Sequence, residues 1–199
     1  MKNSLIKKIA VSGAVVIGMF AFGGGTSASA SASILATPYT GHFTSRTVTY
    51  HINSSSKHWQ KVWTKAIHKL NKNGTVKLKA TSKKKAKMTL TTVAKLKGNN
   101  PWDVSWNGKE KNGLYIFRHA SLKLNRKVCV KKAYFEKSNK AVDGKTMETI
   151  NAMDAIAVGL GLDQNTAGND SFVNEFGWWH SNLTKADKLG LAKAYANVK

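Results

Sequence analysis

Alternation of apolar and polar residues predicts β-strands in several short segments of the chain. In residues 46–52 the side chains of Val48, Tyr50 and Ile52 fall on one face, as in a strand with one buried side. Similar segments follow at residues 76–80, 88–92, 113–118 and 121–125. We therefore predict a sheet of about five strands.

Helical periodicity is clearest in residues 57–72. Their apolar side chains recur every three or four residues and so fall on one face of a helix: Trp59, Val62, Trp63, Ala66, Ile67 and Leu70. We predict two further helices, at residues 146–160 and 184–195. The last of them opens with Thr184 and has Asp187 three residues later, the arrangement of a helix N-cap.

Residues 93–112 show neither period, and we predict a long loop there, which in a compact domain is often functional or mobile. Ahead of this segment stands a basic run consisting of Lys83, Lys84, Lys85 and Lys87. The run is a candidate polyanion contact. A solvated hairpin tip or a strand edge guarded by lysine explains it equally well.

Residues 1–30 have the pattern of a signal peptide. Three lysines precede an apolar run at residues 9–22, and small residues then offer cleavage sites after Ala30 or Ala32. The apolar run is short and broken by glycine, which favours a signal peptide over a membrane anchor. We expect residues 31–45 to be a short N-terminal extension and residues 46–199 to be one domain. We expect a secreted protein, extracellular or associated with the cell wall, with no transmembrane segment after signal removal.

The charge of the chain is strongly positive, since 32 Lys and Arg residues against 10 Asp and Glu give +22 at pH 7. Such a charge attracts polyanions, and for a secreted protein the anionic polymers of the cell envelope are close at hand. The aromatic residues fall on core-like positions rather than among the lysines, so we expect no dedicated nucleic-acid binding. The alternative, that the lysines only keep the protein soluble, stays open at this point.

Residues 152–164, Ala-Met-Asp-Ala-Ile-Ala-Val-Gly-Leu-Gly-Leu-Asp-Gln, resemble the active-site segment of secreted bacterial matrixins. Matrixins are metzincin metallopeptidases, whose H-E-x-x-H-x-x-G-x-x-H motif contains three zinc-binding histidines, a glutamate base and a glycine turn. When the glycine of the motif is placed on Gly161, other residues occupy the ligand and base positions. These residues are Asp154, Ala155, Val158 and Gln164. The family's later methionine turn corresponds to residues 170–173, where Val173 replaces the methionine.

The resemblance extends over roughly residues 46–196. Its other parts are residues 48–52, the end of the first helix at Leu70-Asn71, residues 122–125 and residues 183–187. It implies an α+β fold of the metzincin or zincin-like type, with a twisted mixed sheet of about five strands and three helices.

Zinc hydrolysis needs three nitrogen, sulfur or carboxylate ligands, an open position for water and a base. Val158 cannot bind a metal and Ala155 cannot act as a base, so we expect no catalytic residues, no metal and no cofactor. We expect Asp154 to be a solvated or capped residue in a shallow groove. The alternative is a zinc-dependent metalloendopeptidase with a relocated site, and the residues available for it are Asp154, Asp163, Asp170 and His180.

The sequence thus favours a matrixin-like pseudoprotease, and the alternative is a zinc-dependent metalloendopeptidase with an unusual metal site. We expect it to be a monomer that binds anionic cell-envelope polymers or an extended peptide. The resemblance places a peptide groove between an edge strand, at residues 113–118, and the helix at residues 146–160. Salt separates the two ligands, because binding to a polyanion weakens with ionic strength.

Overall fold

A computed structural model gives the fold of the chain. It describes residues 34–72, 74–129, 133–135, 140–142, 144–163, 171–173 and 180–199. The expected signal peptide lies outside the described residues, and so do the motif position Gln164 and the candidate ligand Asp170.

Six strands form one mixed sheet. They are β1 (Gly41–Phe43), β2 (Thr47–Asn53), β3 (Lys77–Ala80), β4 (Met88–Val93), β5 (Trp102–Lys111) and β6 (Leu114–Asn125). Strand β6 is central. β5 pairs with it antiparallel over nearly its whole length, so β1 and β4 share its other edge, both parallel to it. β2 pairs with β4, and β3 with β2, again parallel. A separate antiparallel hairpin joins β7 (Ala133–Phe135) to β8 (Lys140–Val142).

Three helices accompany the sheet, namely α1 (Lys57–Asn71), α2 (Gly144–Gly159) and α3 (Lys185–Ala194). The apolar face predicted for α1 is buried at all six positions, which confirms the helical period. Helix α2 contacts α1, β5 and β6, and each of its residues from Met147 to Gly159 is buried. The mixed α/β architecture, with a six-stranded sheet and three helices, agrees with the predicted α+β class.

The prediction of a long loop at residues 93–112 was wrong, because β5 occupies half of this range. In β5 the residues Trp102, Val104 and Trp106 face the core side of the sheet and alternate with polar residues. The hairpin to β6 closes through Asn112 and Gly113, both with positive φ (53° and 75°). Asn-Gly is the preferred dipeptide for such a two-residue turn, and it was a readable signal in the sequence. The strands predicted at 113–118 and 121–125 are one strand, β6.

The basic run is not a hairpin tip. Strands β3 and β4 both lie parallel to β2, on its two sides, so the segment between them crosses over β2. Residues Lys83–Lys85 form one turn of 3₁₀-helix in this crossover. The crossover is tied to β2, since the Thr49 hydroxyl donates to the Lys85 carbonyl oxygen over 3.0 Å.

The turn after α2 depends on a close approach of two backbone segments. Gly161 has φ 113°, and a Cβ there would lie 2.0 Å from the carbonyl oxygen of Gly41. The approach is fixed by a hydrogen bond from the Thr40 N–H to the Gly161 carbonyl oxygen over 2.9 Å, and by a bridge between Tyr39 and Leu162. The glycine of the resembling motif is therefore required by the packing of this chain.

We expect Gly161→Ala to lower the free energy of unfolding by at least about 3 kcal/mol, because the new Cβ meets backbone and the φ is unfavourable. Gly74→Ala is the matched control. Gly74 also has positive φ (81°), but no atom lies within 4 Å of a Cβ built there. It should cost only the conformational part, about 1–2 kcal/mol. Urea unfolding of both variants measures the difference, and equal losses would contradict the close approach.

Candidate functional site

Asp154, at the first ligand position of the motif, is buried. It lies on α2 and is 6 % exposed. The indole Nε1–H of Trp102, on β5, donates to Asp154 Oδ2 over 2.9 Å. The second oxygen, Oδ1, has no hydrogen-bond partner among the described residues. The expectation of a solvated residue in a shallow groove was therefore wrong, because α2 is covered on all sides and not on one face only.

Burial raises the pKa of Asp154 from 3.8 to about 8. The hydrogen bond from Trp102 opposes this shift, and the charge of Asp187 adds to it. Removal from water disfavours the charged form of a carboxyl group, and a single hydrogen bond does not restore what hydration supplied. At neutral pH the group is mostly the uncharged acid. An uncharged carboxyl group is a poor metal ligand, since metal binding requires the deprotonated form.

The other described positions of the motif hold side chains that can neither bind zinc nor act as a base. The Ala155 side chain is fully buried, and Val158 presents only methyl groups. Trp106 of β5 donates its indole N–H to the Gly159 carbonyl oxygen over 3.3 Å, one turn along the helix from the Trp102 contact. Val173 is buried in the turn that follows. The motif positions that the structure describes therefore do not fit the zinc ion that the resemblance implies, while Gln164 lies outside the described residues.

The residues considered for a relocated metal site differ in their surroundings. Asp154 is buried, Asp163 is exposed and His180 is half-buried. Within the described parts of the chain, no three His, Cys, Asp or Glu side chains come together in a group that could hold a metal ion. Asp170 lies outside those parts, so the relocated site stays a prediction.

A second buried carboxylate, Asp187, holds this region together. Its Oδ1 accepts hydrogen bonds from the hydroxyls of Thr37 and Ser171 over 2.7 and 2.6 Å. Its Oδ2 accepts from the Phe172 N–H, and from both the N–H and the hydroxyl of Thr184, each over 2.8 Å. The predicted cap by Thr184 and Asp187 is confirmed as a capping box. The contacts to Thr37 and Ser171 were not predicted, because nothing local in the sequence links segments so far apart.

The distribution of charge over the surface is uneven. Among the described carboxylates Glu148, Asp154 and Asp187 are buried. The lysines of the basic run point outward instead, with Lys83, Lys84 and Lys85 exposed and Lys87 half-buried. Burial of acidic side chains removes negative charge from the surface and leaves the lysines largely uncompensated. No helix in the described parts is long and apolar enough to cross a membrane.

Glu148 of α2 makes an interhelical contact with α1. His58 of α1 lies 2.9 Å from Glu148, measured between Nε2 and Oε2.

Burial, with a smaller effect of Glu148, raises the pKa of the Cys129 thiol to about 12. Cys129 is fully buried, and a protonated thiol is not a nucleophile. This thiol therefore gives no candidate for catalysis.

The raised pKa of Asp154 predicts a specific dependence of stability on pH. The folded chain holds a proton on this group up to about pH 8, whereas the unfolded chain releases it near 3.8. The unfolded state binds fewer protons in that window, so the free energy of unfolding falls as pH rises, by up to about 1.4 kcal/mol per pH unit. Asp154→Asn stays uncharged and should remove this slope.

Urea unfolding of the wild type, Asp154→Asn and Asp103→Asn between pH 4 and 8 tests the prediction. Asp103 is a suitable control because its side chain is 51 % exposed and its contact with Lys123 is long, 4.0 Å. Parallel curves for the wild type and Asp154→Asn would show that Asp154 ionises normally in the folded protein.

The comparisons with known proteins do not assign the chain to a family. No protein-family model matches the chain, and no curated protein sequence matches it. The buried residues of α2 and the charge of the surface are therefore the features that bear on function.

Proposed function

We propose that this chain is a secreted, matrixin-like protein that has no protease activity and binds anionic cell-envelope polymers through its basic surface. The observation that carries the proposal is the separation of charge. Among the described carboxylates Glu148, Asp154 and Asp187 are buried and Asp103, Glu110 and Asp163 are exposed, whereas exposed lysines lie along α1 and in the crossover. A surface of one sign attracts polymers of the other sign and accelerates their association.

Several features support the matrixin-like part of the proposal. A parallel sheet with one antiparallel strand, β5, lies beside the helix that carries the motif. Gly161 ends that helix in a turn that only glycine can adopt without strain. The loss of activity is supported by the side chains at the motif, where a protonated acid, an alanine and a valine stand in the places of the ligands and the base.

An extended peptide is the second candidate ligand, and one observation favours it. Strand β5 pairs with β6 along one edge, and its other edge has no strand partner among the described residues. An exposed edge of this kind can accept a further strand. The groove expected beside residues 113–118 was misplaced, because those residues belong to β6, which has neighbours on both edges.

Binding at varied salt tests the proposed function. The purified protein would be titrated with poly(glycerol phosphate), with poly-L-glutamate and with the uncharged polymer dextran. We expect binding to one or both of the anionic polymers, and the affinity should fall at least about tenfold between about 50 and 200 mM salt as counterions compete. Dextran should not bind.

Two results would contradict the proposal. If neither anionic polymer binds at low salt, the basic surface is not a polymer-binding surface. If binding is insensitive to salt, the contact is not mainly electrostatic, and the edge of β5 becomes the first place to examine with extended peptides.

A further inference from the structure

We infer that the exposed face of α1 is the polymer-binding surface and that its ligand is a linear phosphodiester polymer without bases. The inference rests on the proposed function and assigns it a place and a ligand. The surface is a row of three lysines, Lys57, Lys61 and Lys65, which we call the lysine ladder. All three are exposed, and none of their ammonium groups makes a hydrogen bond or an ion pair among the described residues.

The ladder is a row of positive charges that is inclined to the helix axis, because each lysine is rotated about 40° from the one before it. A spacing of four residues puts successive lysines about 6 Å apart along the helix axis, on nearly the same side. The neutral side chains between them are bound to backbone: Gln60 Nε2 donates to the Ser54 carbonyl oxygen over 2.7 Å, and the Thr64 hydroxyl to the Gln60 carbonyl oxygen over 2.8 Å. These five residues line a surface depression of about 450 Å³. The three ammonium groups are therefore the charged groups of this surface that can bind a ligand.

The ladder does not stabilise the helix that carries it. Helix α1 contains no acidic residue, and its N-cap, Ser56, makes no side-chain capping bond. Each pair of lysines four apart costs about 0.2–0.5 kcal/mol through repulsion. Lys57 lies at the positive end of the helix dipole, where a negative side chain would be favourable. The helix is stabilised instead by its buried face, so the lysines have no structural role that explains their spacing.

The chemistry of the ladder fits phosphate groups better than bases. Lysine binds phosphate as a point charge through rotatable N–H groups, and no arginine is present in the row to select a planar bidentate partner. The tryptophans of the helix, Trp59 and Trp63, are buried on the opposite face, so neither indole is available for a base to stack on. A nucleic acid would gain only backbone contacts here.

The basic run of the crossover provides a matched comparison. It has three consecutive lysines, Lys83, Lys84 and Lys85, in a single 3₁₀ turn. Successive side chains of a 3₁₀-helix point about 120° apart, since the helix has three residues per turn. These three charges therefore diverge, whereas those of the ladder lie in a row. If only the net charge matters, the two groups are equivalent. If a row is required, they are not.

The test compares two variants that each remove three charges, Lys57→Gln/Lys61→Gln/Lys65→Gln and Lys83→Gln/Lys84→Gln/Lys85→Gln. Binding of poly(glycerol phosphate) is measured by calorimetry at several salt concentrations. We expect the ladder variant to bind at least about tenfold more weakly at low salt, with a slope of log K against log salt smaller by about 2. The crossover variant should lose less than about threefold. Thermal unfolding of the ladder variant should occur at the same temperature or a higher one, because repulsion has been removed.

The remaining outcomes overturn the inference in distinguishable ways. Equal losses in the two variants would show that binding depends on overall charge and not on the ladder. Tighter binding of poly-L-glutamate or of an oligo-dT strand than of poly(glycerol phosphate) would assign the surface to a different ligand. A lower unfolding temperature of the ladder variant would show that the lysines support the helix. If the wild type binds none of these polymers, the proposed function itself fails.

Discussion

The described structure depends most on the buried carboxylate of Asp187. Full burial of a charge is costly unless hydrogen bonds replace its hydration, and here five donors surround the two oxygens. The donors come from three separate places, the N-terminal segment at Thr37, the turn at Ser171-Phe172 and the cap of α3 at Thr184. The Asp187 side chain therefore holds the start of α3 against the turn at residues 171–172 and against the N-terminal segment that precedes β1.

The C-terminal end of α3 also contacts the N-terminal segment, through Tyr195. The hydroxyl of Tyr195, which is fully buried, accepts from the Phe43 N–H over 3.3 Å and donates to the Leu160 carbonyl oxygen over 2.9 Å. Leu160 precedes Gly161, whose backbone lies against Gly41. The two ends of α3 thus contact the N-terminal segment at different places, Asp187 at Thr37 and Tyr195 at Phe43.

The two buried aspartates show how surroundings decide what a carboxyl group can do. Asp187 has a full set of donors, whereas Asp154 has one, from Trp102, and remains protonated to about pH 8. A group of the second kind can be tolerated in a fold but cannot easily hold a cation. The frame around α2 is therefore compatible with the matrixin-like proposal, while the side chains at the motif favour binding without catalysis.

Much of the fold was predictable from local patterns, and the failures have physical causes. The six apolar positions of α1 and the capping box at Thr184 are local features, and both were confirmed. Strand β5 was missed because only its first half alternates and residues 107–111 are all polar or glycine, although Asn112-Gly113 marked its hairpin. The burial of Asp154 could not be predicted, since it results from β5 and α1 covering α2 rather than from the period of α2 itself. The lysine ladder was readable as a spacing of four, but its significance depends on the absence of partners, which only the structure provides.

The metal content of the purified protein tests most directly whether the proposed matrixin-like frame lacks zinc chemistry. The protein would be dialysed against a buffer with trace zinc and analysed for bound metal. We expect much less than one zinc ion per chain, because Asp154, Ala155 and Val158 of the motif are a protonated acid, an alanine and a valine. One tightly bound zinc ion per chain would contradict it, and Asp154 and His180 would be the first ligands to replace.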